Sequence, residues 1–204
     1  YRNIQRFIFF QLVVNVTALL LVLGGSLIGT ELPLTITQML RANLIMDTFA
    51  AMALASLPPE SEVMKEKPRK QTDFIINRHI AWAIGIVGLL FFGLMFGLLY
   101  YFERVAGVSA EELTVFFTIF VMLQWWNLFN AKSLGSRRSA FHKFLSDRGL
   151  LFVLFIILAG QWLIVELGGK MFRTVPLDIE TWLWIILGTS PVMIVGEIVR
   201  RIRR

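Results

Sequence analysis

Two oxygen-bearing side chains, Asn43 and Asp47, stand four residues apart in the apolar run "NLIMDTFAAMALA". A helix puts positions i and i+4 on one face, so amide and carboxylate would meet the same neighbour. An ionised carboxylate in hydrocarbon costs several kcal/mol unless it is paired or ligated, which makes an intramembrane acid a functional candidate. Asn15 sits near the middle of the preceding apolar run and could face the pair across a hairpin. Such a cluster would be all oxygen. It suits a hard cation, calcium or manganese, rather than zinc or copper. A second reading stands at equal weight: a protonated Asp47 that hydrogen-bonds a neighbouring helix.

Amides recur at Gln124, Asn127 and Asn130. Their i, i+3, i+6 spacing predicts one inward helical face. Gln124 is deep enough to reach a central cavity. Asn127 and Asn130, nearer the end of their run, read as hydrogen-bonding glue between helices, worth about 1 kcal/mol or less per contact. Gln161 in the following run reads the same way. The chain has no Cys, which excludes disulfides, thiolate metal sites and a Cys nucleophile. His79 and His142 both lie in polar segments and are too sparse for a soft-metal site.

The elements that must hold these groups are membrane helices. Hydrophobic residues make up 56% of the 204 positions and the mean hydropathy is +0.69. Soluble domains are about half apolar at most, and here the excess falls in long runs. Six runs approach the length of a bilayer span: 7–29, 34–57, 80–102, 113–134, 150–168 and 182–199. The fold class expected is therefore all-α: a polytopic membrane bundle of six transmembrane helices, with the lipid bilayer as its solvent. The short turn "TELP" makes the first two an antiparallel hairpin.

Charge sets the predicted orientation. Arg2 and Arg6, the Lys65–Arg78 cluster, the Lys132–Arg148 cluster and Arg200 to Arg204 all fall on one side if the chain crosses six times. The positive-inside rule then places both termini in the cytoplasm. The net charge of +6 is in this light a topology signal, and no nucleic-acid partner is expected. Trp82, Trp182 and Trp184, at span ends, read as an interfacial belt. Trp125 and Trp126 lie deeper and read as packing. Gly93 and Gly97 form a G-x-x-x-G that predicts close helix approach. Pro58 and Pro59 stop the second helix. The first run is too long for a signal-peptide core and lacks a small-residue cleavage site, so a piece of a longer protein is expected.

Three stretches carry a resemblance: "VVNVTALL", "MLRANLIMDTFAAMALASLPPESEVM" and "FVMLQWWNLFNAKSLG". Together they resemble the last six transmembrane helices of calcium-transporting P-type ATPases, above all the plasma-membrane type and its bacterial relatives. The most specific part is N-L-x-x-D followed by PP-x-x-x-x-M-x-x-x-P-R, here Pro58, Pro59, Met64, Pro68 and Arg69. "VELGGKMFRTVPLDIETWLW" resembles that branch's final helix pair.

The resemblance implies that residues 1–204 are the C-terminal transport domain of an ATP-driven calcium efflux pump in the cell membrane. Asn43 and Asp47 would be calcium ligands on a partly unwound helix, and Asn15 and Gln124 would line the ion pathway. Pro58, Pro59, Met64, Pro68 and Arg69 would form the cytoplasmic coupling loop. Calcium would be the transported ion. ATP and magnesium would bind only in the pump's cytoplasmic domains, which with its N-terminal helices are the implied partners. The chain carries no D-K-T-G phosphorylation motif and no T-G-E loop. Alone it would not be an enzyme. Two alternatives are a free-standing six-helix cation channel or carrier, and a pump of the same family for another hard cation such as manganese. A membrane scaffold with a neutral Asp47 is a further possibility.

Overall fold

The computed structural model describes residues 1–29, 36–58, 74–136, 139 and 147–202. Eight α-helices are described: α1 (Arg2–Ile28), α2 (Ile36–Ala55), α3 (Arg78–Tyr101), α4 (Ala110–Lys132), α5 (Arg148–Leu167), α6 (Gly169–Phe172), α7 (Ile179–Thr189) and α8 (Pro191–Ile202). Among the described residues there is no strand. α1, α3, α4 and α5 are long and apolar enough to cross a bilayer. The chain is an integral membrane protein of helices.

Helices α1, α3, α4, α5 and α7 start two to five residues before their apolar runs, where the local chemistry puts them. Asn77 caps α3, its side chain accepting from the Ile80 N–H at 2.9 Å. Ser109 and Glu112 form a capping box at the start of α4, satisfying otherwise orphaned backbone N–H groups. Asp178 caps α7 by accepting from the Thr181 N–H at 3.0 Å. Hydrogen bonding from Thr181, first its side chain and then this N–H, lowers the Asp178 carboxyl from its ordinary value. α1 stops at Gly29, whose φ of 74° is the left-handed conformation that terminates helices. α3 runs on through a wider π-helical turn, Phe102–Ala106.

Three expectations about packing are corrected. The G-x-x-x-G pair is not the close approach: Gly93 and Gly97 have nothing near the place a Cβ would occupy. Helices α1 and α3 instead meet at Gly88, where a Cβ would lie 3.0 Å from Val16, and at Gly24, where it would lie 2.8 Å from Phe96. The buried side of α3 is the stripe Ile80, Ile84, Gly88, Phe91, Met95 and Leu99, and Gly93 and Gly97 fall outside it.

Second, the last apolar run is broken between α7 and α8. Pro191 has no N–H, and the Leu187 carbonyl is taken by Ser190, through its N–H at 3.2 Å and its hydroxyl at 2.7 Å. Third, Trp182 does not face outward as a belt residue would. It is buried among Met122, Val165, Leu177 and Ile185, whereas Trp82 and Trp184 are exposed as a belt requires.

Trp125 and Trp126 are packing residues with satisfied indoles. Their rings meet edge to face at 4.6 Å. The Trp125 N–H donates to the Leu154 carbonyl at 2.9 Å, and that of Trp126 to the Thr189 hydroxyl at 3.0 Å.

Candidate functional site

The first turns of α1 tie together three other parts of the bundle. Asn3 donates to the carbonyls of Ala55 and Leu57, at 3.1 and 3.0 Å, just where α2 ends. Gln5 donates to Ile75 O at 2.7 Å and Tyr1 to Phe74 O at 2.8 Å, on the approach to α3. Arg6 is buried, and its Nε donates to Leu134 O at 3.3 Å, just past α4. Lys132 closes the same end by an ion pair with Asp147, before α5. We call this the clamped end.

These bonds set the registers of three helices. Asn15 lies nine residues beyond Arg6, Gln124 ten before Leu134, and Asp47 eight before Ala55. At a rise of about 1.5 Å per residue all three stand about 12–15 Å from the clamped end. Asn43 is one turn further along α2. α2 is continuous from Ile36 to Ala55, not partly unwound, and contains neither Gly nor Pro that would interrupt its ladder. The side chains of Asn43 and Asp47 lie outside the described residues, as do Pro59, Met64, Pro68 and Arg69. Pro58 is exposed beyond the end of α2. Among the described residues no group of three His, Asp or Glu gathers as a metal site would require.

Asn15 is half-buried and makes no hydrogen bond among the described residues. The predicted amide stripe of α4 splits in two. Asn130 turns to α8, where it donates to Val192 O at 3.1 Å and lies where a Gly196 Cβ would collide with it. Gln161 donates to the Thr118 hydroxyl at 3.2 Å. Both are glue, as their positions predict. Asn127 is not: it is fully buried and neither its Oδ1 nor its Nδ2 has a partner, and the same holds for both polar atoms of Gln124.

The contacts of α4 show where this pair faces. Thr118 and Trp125 bond α5; Trp126 and Asn130 bond α7 and α8. With 3.6 residues per turn, Gln124 and Asn127 fall on the remaining arc, beside Phe120 and Leu128. α1, α2 and α3, the other helices packed on α4, cover that arc. The depth argument singled out Gln124 and missed Asn127, although both share one stripe in the sequence. Ala18 and Met46, at 3% and 1% exposure, belong to the main apolar core.

Comparison with known proteins gives the family. The family described as "Cation transporting ATPase, C-terminus" matches residues 31–202. The plasma membrane calcium-transporting ATPase 2 of Oreochromis mossambicus is 32% identical over 99% of this chain. The plasma membrane calcium-transporting ATPase 3 of Homo sapiens is 33% identical, and ATPase 1 of Gallus gallus 32%, each over 99% of the chain. The chain spans only 19%, 18% and 18% of those three proteins. The chain therefore belongs to the cation-transporting ATPase family, as a C-terminal membrane domain similar to that of the plasma-membrane calcium-transporting ATPases.

Proposed function

We propose that this domain is the transport half of an ATP-driven calcium efflux pump of the cell membrane. Asn43 and Asp47 supply part of the calcium site, and Asn15 and Gln124 line the ion's path. The helices cross six times, α7 and α8 together making the last crossing, and both termini are cytoplasmic. The clamped end is then the cytoplasmic end. The coupling loop, with Pro58, Pro59, Met64, Pro68 and Arg69, follows α2 there. Phosphorylation in the pump's cytoplasmic domains moves α1 and α2, and the ion site changes the side it opens to. Protons taken up by the vacated carboxylate return to the cytoplasm.

The observation that carries this reading is the shared level of Asn15, Asp47 and Gln124 on three helices locked together at one end. In a core that is mostly apolar, the carboxylate of Asp47 and the amide of Gln124 at one depth suit a polar solute. A hard cation is the solute that a carboxylate and amide oxygens suit. The names of the relatives support calcium over manganese, which ligand chemistry alone allows equally.

The test is Asp47→Asn in the full-length parent. The change keeps size and hydrogen bonding and removes the charge. Calcium-dependent phosphorylation by ATP should be lost while the protein is made at near-normal levels. Wild-type calcium activation in the variant would assign Asp47 to structure instead.

A further inference from the structure

The stretch "VELGGKMFRTVPLD" takes no part in the site described above, yet it is tied to several helices. It leaves α5 at Gly168 and reaches α7 at Asp178, at the end of the bundle opposite the clamp. The Thr174 hydroxyl donates to Ile164 O of α5 at 2.8 Å. The Val175 N–H donates to the Thr114 hydroxyl of α4 at 3.0 Å. Leu177 is buried with Met122, Val165, Trp182 and Ile185. Arg173 keeps a left-handed backbone, φ 51°, which a residue with a Cβ holds only where its surroundings fix it. Residues 168–177 therefore form a strap across the far ends of α4, α5 and α7.

The strap also reaches α2. Gln38, 2% exposed in the second turn-length of that helix, donates its Nε2 to Phe172 O at 2.7 Å. Phe172 is itself buried, directly before Arg173. At the other end of α2 the donor is Asn3 of α1, bonded to the Ala55 and Leu57 carbonyls. α2 is thus held at both ends by side-chain amides, one on a neighbouring helix and one of its own. Asp47 lies nine residues from Gln38 and eight from Ala55, midway along about 26 Å of continuous helix.

We infer that Gln38 is a positioning residue: it fixes the far end of α2 to the strap, and α2 swings about this point when α1 carries its clamped end. This rests on the calcium-pump reading. The two ends are not equivalent. The clamped end is bonded to α1, which moves in that reading, whereas the strap is bonded to α4 and α5 and packed on α7. A continuous helix fixed at one end moves at its midpoint about half as far as at the other end. The tie to Phe172 O also stops α2 from sliding along its axis, so that it sets the depth of the ion level. A gate would need this bond to open in each cycle; a pivot needs it to stay closed.

The experiment uses the full-length parent in proteoliposomes and has two arms. In the first, Gln38→Met keeps the length of the side chain and removes its donor. The calcium concentration for half-maximal phosphorylation by ATP should rise about two- to tenfold, the weight of one hydrogen bond, with the maximal level retained. An unchanged half-saturating concentration, with or without a lower unfolding temperature, would overturn the inference and leave Gln38 as structural glue. In the second arm, Gln38→Cys and Arg173→Cys are joined by a short bis-methanethiosulfonate reagent, with each single-cysteine variant as control. The joined pump should keep most of its calcium-activated turnover. Loss of turnover on joining, with phosphorylation retained, would overturn the inference by showing that α2 and the strap must part. This arm decides alone if Gln38→Met does not accumulate in the membrane. A wild-type parent without calcium-activated turnover would overturn the pump reading itself, and the pivot with it.

Discussion

Gly88 and Gly93 sit five residues apart on α3 and have opposite environments, one against Val16 and the other open. A side chain at Gly88 must displace a β-branched neighbour that has little rotamer freedom. Gly88→Leu is expected to destabilise the bundle by about 1–3 kcal/mol, the usual cost of overpacking a filled core. Gly93→Leu should leave thermal unfolding in detergent within about 0.5 kcal/mol of wild type, as surface substitutions usually do. Equal effects would mean that α1 and α3 do not meet as described. Small-residue spacing showed that α3 can approach another helix, but the face that does so depends on what α1 presents. The amides show the same limit. Asn127 and Asn130 look alike in a single sequence, and only the positions of α5, α7 and α8 separate a paired amide from an unpaired one.

At the scale of elements, the apolar runs made the helices legible to within a few residues, because caps such as Asn77, Ser109 and Asp178 lie in the polar segments beside them. The break before Pro191 was less legible, since the run 182–199 is apolar on both sides of it. Hydrophobicity records burial in lipid, not continuity of the backbone ladder. The clamp formed by the first turns of α1 was not legible at all. In the sequence Arg2 and Arg6 read as orientation charges, and the acceptors of Asn3, Gln5 and Arg6 are backbone carbonyls distant in sequence. Asn3→Ala should leave the Ala55 and Leu57 carbonyls without their donor and cost about 1–2 kcal/mol, from two bonds of modest net worth each. Thermal unfolding of the full-length protein measures this. An unchanged midpoint would show that water replaces the amide freely. Conversely, Trp126→Phe keeps an aromatic ring, smaller than the indole, but removes the N–H that bonds Thr189. It should loosen α7 at its junction with α8 by a similar about 1 kcal/mol.

For the whole molecule, the account makes a claim about charge. The six proposed crossings carry one carboxylate at the ion level, Asp47. Ala18, one turn beyond Asn15, and Met46, directly before Asp47, stand where further ligands to an ion at this level would come from. The structure puts Ala18 and Met46 in the apolar core, and neither offers a hard oxygen. A second divalent ion would bring two further positive charges into a low-dielectric interior with little to neutralise them. The full-length parent should therefore move a single calcium per phosphorylation cycle. The most direct measurement is calcium bound per phosphorylatable enzyme at saturation, in wild type and in Asp47→Asn, together with the Hill coefficient for calcium activation. The account predicts one ion in the wild type, a Hill coefficient near one, and no bound ion in the variant. Two ions bound cooperatively, or an ion retained by Asp47→Asn, would contradict it.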